Sequence, residues 1–296
     1  MIASEFAPAK VNLFLHVGTP GTDGFHPLSS LMVFADIGDR LSCEPSSRFT
    51  LELDGPMQGD APPGDDNLVA RAARAIATRS GAGEPRVRLL LTKHLPAGAG
   101  LGGGSSDAAA TLRLLRRALS LAVTDGEMFE LGAALGSDVP ACIQATPVLA
   151  EGRGERLSPA PRLPVLPAVL VRPPVGSSTA AVYRAYDLQA QGASAAPPQM
   201  PEGFASAAET AAFLASTRND LEAPAVALQP LIGEALELLG RQPEALLTRM
   251  SGSGSACFAL CADAADAARL ARRLAAGHPG WWVQDCRLGG SAETGS

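Results

Sequence analysis

Hydrophobic and polar positions change period several times along the chain. Phe49, Leu51 and Leu53 alternate with Thr50, Glu52 and Asp54, the period-two pattern of a half-buried strand, and Gly55-Pro56 ends it. Residues 56–66 are rich in Pro, Gly and Asp and predict a loop. The stretch from Leu68 to Arg79 reads as a helix: Asp65, Asp66 and Asn67 are suitable caps, its arginines suit the negative C-terminal end, and Gly81 closes it. Arg86 to Thr92 predicts a second strand, and Lys93 to Gly104 a glycine-rich loop. Ser105 and Ser106 then cap a helix whose Ala108, Leu112, Leu115 and Leu119 recur on one face. Glu127 to Leu135 predicts a short helix stopped at Gly136. Past a proline-rich stretch at 155–167, residues 189–203 predict a surface insertion. Helical patterns follow at 206–215 and at 219–240, the latter interrupted by Pro224 and Pro230. The rest reads strand (256–261), helix (264–276), strand (281–286). With a strand-and-loop start and no internal repeat, the expected fold class is α+β, divided into residues 1–158 and 159–290, with 291–296 a disordered tail.

Composition narrows the function classes. The 296 residues suffice for a large core, and 46% are hydrophobic. Gly (31) and Pro (24) are abundant while aromatics make up 4%, which favours turns and loops over a plain helical bundle. A net charge of −6 without a basic block argues against a nucleic-acid partner. An anionic ligand would have to be met by backbone amides, helix N-termini and a few placed lysines. Five irregularly spaced cysteines give neither a disulfide framework nor CxxC zinc pairs, and Cys257 and Cys261 read as small core residues. No secretory signal pattern and no apolar run near ~20 residues occur, so the expected location is cytoplasmic, with no membrane partner. The oligomeric state is not legible.

The densest signal is Pro96-Ala97-Gly98-Ala99-Gly100-Leu101-Gly102-Gly103-Gly104-Ser105-Ser106-Asp107, where five of nine residues from 98 to 106 are Gly. Glycines permit positive φ and let a bulky anion approach the amides, and a helix start adds unpaired N–H groups. A ligand-free turn with a capped helix is the plain alternative. Residues 98–103 also match GxGxxG, with Asp125 at a dinucleotide-like distance, but four residues separate the strand from the first Gly and only the weak 119–123 run follows as a strand. A Walker A loop is excluded because no Gly-Lys-Ser/Thr follows.

Pro-x-x-x-Gly-Leu-Gly-x-Gly-Ser-Ser resembles the ATP-phosphate loop of the GHMP kinases, the galactose, homoserine, mevalonate and phosphomevalonate kinases, and 96–106 match it in full. Met250-Ser251-Gly252-Ser253-Gly254-Ser255-Ala256-Cys257 resembles that family's second glycine loop, and Asn219-Asp220-Leu221-Glu222 a further family segment. Ala7-Pro8-Ala9-Lys10-Val11-Asn12-Leu13-Phe14-Leu15 and Asp23-Gly24-Phe25-His26-Pro27-Leu28 look like the signatures of its branch acting on cytidine-diphosphate-linked polyols. The resemblance spans about residue 5 to 288 and is weakest at 185–215. It implies a two-domain fold, ATP-binding in 1–158 and substrate-binding in 159–290, with the active site in the cleft between them.

The same resemblance implies the ligands, ATP, Mg²⁺ and a small-molecule cytidylyl substrate, and the roles. Asp138, in Gly136-Ser137-Asp138-Val139-Pro140, would be the catalytic base; read without the family, an Asp before Val-Pro is a turn residue. Lys10 would be its partner, holding the carboxylate ionised; alone in an apolar run, it reads as an exposed lysine on an edge strand. Pro96 to Ser106 would bind ATP, with Asn67 and Lys93 on the adenine side, and Ser106 would be the Mg²⁺ or phosphate ligand; Lys93 also reads as a strand-end charge. Asn12, Phe25 and His26 would bind the cytidine end, with Thr179 and Tyr183 facing them. Phe25 replaces the family's usual Tyr, which keeps stacking and loses a phenolic hydrogen bond. A loop histidine and a core tyrosine are the alternatives for His26 and Tyr183. Homoserine or mevalonate kinase is the alternative function, and the Gly24-Phe25-His26 segment argues against it.

Overall fold

The computed structural model describes residues 3–22, 24–189 and 194–289. The expected tail (291–296), part of the 189–203 insertion and Asp23 lie outside them. Two long strands dominate: β1 (Ala3–Val17) and β2 (Leu28–Pro45) form an antiparallel hairpin. β2 also pairs antiparallel with β4 (Val87–Thr92), which pairs parallel with β3 (Thr50–Asp54). The first half of β2 is bordered by β5 (Val148–Gly152), and β5 by β6 (Arg156–Pro159).

The second half of the chain joins the same sheet. β10 (Trp282–Leu288) meets β2 through Leu288 and Ala35 and runs antiparallel to β7 (Leu166–Arg172). β9 (Cys257–Cys261) and β8 (Ala245–Met250) complete the order β3-β4-β2-β10-β7-β9-β8. Helices α1 (Leu68–Arg79), α2 (Gly103–Ala118), α3 (Asp125–Leu135) and α4 (Val139–Gln144) pack on the first half. Helices α5 (Thr179–Gln189), α6 (Ala207–Leu214), α7 (Glu222–Leu228), α8 (Pro230–Gly240) and α9 (Ala264–Gly277) belong to the second. The α+β expectation holds. Position 158 falls at the end of β6.

Three apolar clusters form the interior. One lies between β2, β4 and α1–α4, with Ile76, Leu89 and Leu112 fully buried. Another lies mainly in the second half, around Val169, Ile232 and Leu270, and takes in Leu15 and Val17 from the end of β1. The third mixes the halves: Leu13 and Phe14 of β1 pack with Leu101, Leu170, Phe258 and Leu288. Fully burying each such side chain contributes about 1.5–3 kcal/mol.

Two features of β1 position the site. Residues 7–17 are buried without interruption, so β1, although its ladder among the described residues runs to β2 alone, is a covered strand and not the exposed edge that a lone Lys10 suggests. Its register against β2 shifts between Pro8 and Lys10 and again between Asn12 and Phe14. Such irregularities re-aim side chains, and here they bracket Lys10 and Asn12, which share a strand face. The start of α2 corrects the expected cap. The helix begins at Gly103, its cap is Gly102 in the left-handed region (φ +63°), and neither Ser105 nor Ser106 caps it.

Candidate active site

A cleft of about 1340 Å³ lies between the glycine-rich loop, β1, α5 and the loop after β8. Lys10 and Asp138 meet in it: Lys10 Nζ lies 3.0 Å from Asp138 Oδ2 and donates to Asn12 Oδ1 at 2.8 Å. Asn12 Nδ2 donates in turn to Ser30 Oγ (2.8 Å), which donates to the Phe14 carbonyl (2.7 Å). Lys10 is 4% exposed, and the Asp138 side chain, at 30%, keeps an open face to the cleft. Asp138 precedes α4, and its carboxylate caps no helix amide. The turn reading of Asp138 is thus correct for its backbone, while its carboxylate stands beside a buried ammonium.

The glycine-rich loop passes directly over this pair. A Cβ at Gly102 would lie 3.0 Å from Lys10 Cε, and one at Gly100 would lie 2.2 Å from the Ser251 carbonyl, so both need glycine for space as well as for φ. None of the backbone N–H groups of residues 98–105 donates to a protein group among the described residues. A run of amides without protein acceptors at a helix start is an anion cradle. Ser106 Oγ is fully buried and has no hydrogen-bond partner among the described residues. A buried orphan hydroxyl there fits a phosphate oxygen or Mg²⁺. No group of three or more His, Cys, Asp or Glu among the described residues could hold a metal by itself.

Asn67 and Lys93 also line the cleft, but their side chains are already engaged. Asn67 Oδ1 caps α1 at Val69 N, and its Nδ2 donates to the Pro62 carbonyl. The Lys93 ammonium is buried between Asp107, at 2.7 Å, and Asp39. Asp39 also accepts from the amides of His94 (2.6 Å) and Leu95 (2.9 Å). Burial pushes the Asp107 carboxyl up to about 7, against the pull of Lys93 and helped by Asp39. Lys93 is therefore neither a strand-end charge in solvent nor a free cation for a nucleotide.

Of the expected cytidine-side residues, Phe25, His26, Thr179 and Tyr183 line the cleft, whereas Asn12, which lines it too, stands beside Lys10 with its side-chain amide engaged by Lys10 and Ser30. The His26 ring packs on Tyr183 (centroids 5.1 Å apart) and Tyr186 (5.8 Å). Its Nδ1 lies 2.8 Å from the Gly18 carbonyl and its Nε2 3.1 Å from Asp187 Oδ1, so both ring nitrogens already face protein acceptors. Burial, with Asp138 and Tyr186 nearby, pushes the Tyr183 hydroxyl up to about 12. Phe25 is 55% exposed, and the Arg153 guanidinium lies 4.0 Å from its ring centroid. Thr179 reaches Ser253: the two hydroxyls are 2.8 Å apart.

Sequence reasoning missed several contributors. Ser251 Oγ accepts from Asn12 N (3.1 Å) and donates to the Gly100 carbonyl (2.9 Å), tying β1 to both glycine loops. Its place inside a Ser-Gly-Ser-Gly run was a usable signal. Arg153, Asp187 and Asp39 carried none, because their partners lie far away in sequence.

Comparison with known proteins agrees with this geometry. Residues 67–146 match the GHMP kinases N terminal domain and residues 202–279 the GHMP kinases C terminal domain. A homoserine kinase from Cytophaga hutchinsonii shares the fold, with a TM-score of 0.66 at 17% identity over 98% of this chain and 96% of that one. The fold is thus that of a GHMP kinase. A 4-diphosphocytidyl-2-C-methyl-D-erythritol kinase of Caulobacter vibrioides is 58% identical over 97% of this chain and 100% of its own length. The one of Xanthobacter autotrophicus is 50% identical over 95% and 97%. A crystal structure of a 4-(cytidine 5'-diphospho)-2C-methyl-D-erythritol kinase superposes with a TM-score of 0.75, at 36% identity over 97% of this chain and 99% of that one. The chain belongs to the 4-diphosphocytidyl-2-C-methyl-D-erythritol kinase family.

Proposed function

We propose that this chain transfers the γ-phosphoryl group of ATP, with Mg²⁺, to the 2-hydroxyl of 4-diphosphocytidyl-2-C-methyl-D-erythritol, a step of non-mevalonate isoprenoid synthesis in the cytoplasm. One observation carries the chemistry: the Lys10–Asp138 pair lies directly under residues 98–105, whose amides donate to no protein group among the described residues. The relatives' identity and the aromatic end of the cleft support the acceptor.

Phosphoryl transfer asks a protein mainly for in-line positioning and for charge stabilisation. Asp138 accepts the proton of the acceptor hydroxyl. Lys10 aims that carboxylate, and Asn12 fixes the ammonium. The amides of residues 98–105 hold the phosphates, and the start of α2 adds its dipole. Ser106 would hold Mg²⁺ together with the triphosphate, and the ion would offset charge on the phosphate oxygens. Phe25 and Tyr183 receive the pyrimidine by stacking. The His26 ring braces Tyr183, since Gly18 and Asp187 engage both its nitrogens.

The test is phosphoryl transfer from ATP and Mg²⁺ followed by phosphorus NMR, with homoserine and mevalonate as parallel acceptors. A new phosphomonoester signal with the cytidylyl compound alone is expected. Turnover of homoserine or mevalonate, with silence on the cytidylyl compound, would discard the acceptor and the roles of Phe25 and Tyr183.

A further inference from the structure

The Asn219-Asp220-Leu221-Glu222 segment has no part in the chemistry described so far, yet Asn219 reaches the cleft wall from behind. Its Nδ2 donates to the Met250 carbonyl and to the Gly252 carbonyl, each at 2.8 Å, and its Oδ1 accepts from Leu221 N at 3.0 Å. The residue is buried, and its amide is fully used. The segment is itself fixed to β1: Leu15 N donates to the Arg218 carbonyl, Asp220 N to the Leu15 carbonyl, and Val17 N to Asp220 Oδ2.

The Gly252 carbonyl matters because of its peptide partner. The bond from Gly252 to Ser253 is trans, so C=O and N–H point in opposite directions. With the carbonyl drawn toward Asn219, the Ser253 N–H points the other way, away from Asn219, and Ser253 lines the cleft. That N–H donates to no protein group among the described residues. The loop is also held at the catalytic end: a Cβ at Gly252 would lie 3.3 Å from Asn12 Oδ1, the atom that holds Lys10, and 3.2 Å from the Gly100 carbonyl.

We infer that Asn219 is a positioning residue that aims the Ser253 N–H at the phosphoryl group in transit, adding a donor from the second glycine loop opposite the amides of the first. The inference rests on the kinase reading above and deepens it. Asn219 touches neither substrate; it acts only through the orientation of one peptide group. Asn219→Asp replaces the NH₂ by an oxygen that repels both carbonyls and leaves Leu221 N served, so the peptide turns and the donor is lost.

The experiment measures kcat and the dissociation constant of Mg·ADP for the full-length parent and Asn219→Asp. It uses whichever acceptor the parent phosphorylates, so a wrong acceptor and a wrong role for Asn219 give different results. The expected outcome is a fall in kcat of at least tenfold with Mg·ADP affinity within threefold of the parent, because the first loop is untouched. A kcat within threefold of the parent, or Mg·ADP affinity falling in parallel with kcat, overturns the inference. If circular dichroism shows Asn219→Asp unfolded, Asn219→Ala removes the same two donors without introducing a buried charge, leaves the first loop untouched and is judged by the same criteria.

Discussion

Lys93 and Asp107 stand at the two ends of the glycine-rich loop and close it with an ion pair of 2.7 Å. Asp39 completes the knot, accepting from the same ammonium and from the amides of His94 and Leu95, where the loop begins. β2, the end of β4 and the first turn of α2 thus meet at one buried lysine. Removing it leaves two carboxylates facing each other out of water. Lys93→Met is expected to cost about 3–5 kcal/mol, the range for a buried pair losing one partner. Urea unfolding checks this, and adding Asp107→Asn should restore part of the loss. Full parent stability for Lys93→Met alone would refute the clamp.

The Lys10–Asp138 pair predicts a kinetic signature. Asp138→Asn removes the proton acceptor and should lower kcat about 10²–10⁴-fold, the span typical of general base catalysis. Lys10→Ala should act in the same direction. In both, the acceptor KM stays near the parent value, because the aromatic end of the cleft is intact. Steady-state kinetics of the two variants settle it; near-normal turnover in Lys10→Ala rules the pair out.

Gly102 offers a steric test of the same centre. Gly102→Ala places a methyl against the Lys10 side chain at φ +63°, a backbone region costing other residues about 1–2 kcal/mol. A lower melting temperature and a larger proportional loss of kcat are expected, since the clash falls on the Lys10 side chain, to which the proposal gives a role in catalysis. Unchanged turnover would show that Lys10 tolerates displacement.

At the opposite end, Phe25→Ala should raise the acceptor KM roughly tenfold and leave kcat within a few-fold, given about 1–3 kcal/mol for stacking a base on an aromatic ring. Phe25→Tyr should retain the parent KM within a few-fold. Arg153 lies over the same ring, so Arg153→Ala is expected to raise that KM by a smaller factor. Initial rates with varied acceptor distinguish these outcomes.

Acid stability is set in part by His16. It is buried, with Nδ1 donating to the Ala196 carbonyl and Nε2 accepting from Arg218 N, which requires the neutral ring. Burial, with the Arg218 and Arg249 charges, holds its pKa below the ordinary histidine value. The unfolded chain therefore takes up a proton before the folded one does. Stability from this group is complete above about pH 6.5 and declines as pH falls below it. Denaturant midpoints between pH 7.5 and 5 should drop in the parent, and part of that slope should vanish in His16→Gln.

Much of the framework was legible because local signals were strong. Asn67 caps α1, and Leu68 to Arg79 form it as the periodicity predicts. The glycine-rich stretch does form a loop that runs into α2, and Lys10 and Asp138 do meet. What stayed hidden depends on contacts between distant residues. A lysine inside an apolar run looks exposed until a carboxylate 128 positions away is seen to pair with it. The cap at Gly102 was misplaced because serines are the commoner helix caps, whereas here φ and the space above Lys10 select glycine. Lys93 read as a ligand or a surface charge because Asp39 lies 54 positions earlier. Helix α5 escaped notice, since its residues 179–189 show little amphipathic contrast.

The meeting of Leu288 and Ala35, and the apolar cluster drawn from both halves, have a mechanical consequence. One sheet runs through the whole molecule, so the walls of the cleft are anchored to a common plate. Wide hinge opening would have to tear strand pairing and expose that shared interior. Substrate entry and product release would therefore be left to the loops at the rim, such as the two glycine loops, whose exchange rates, more than any domain swing, would set the pace of turnover.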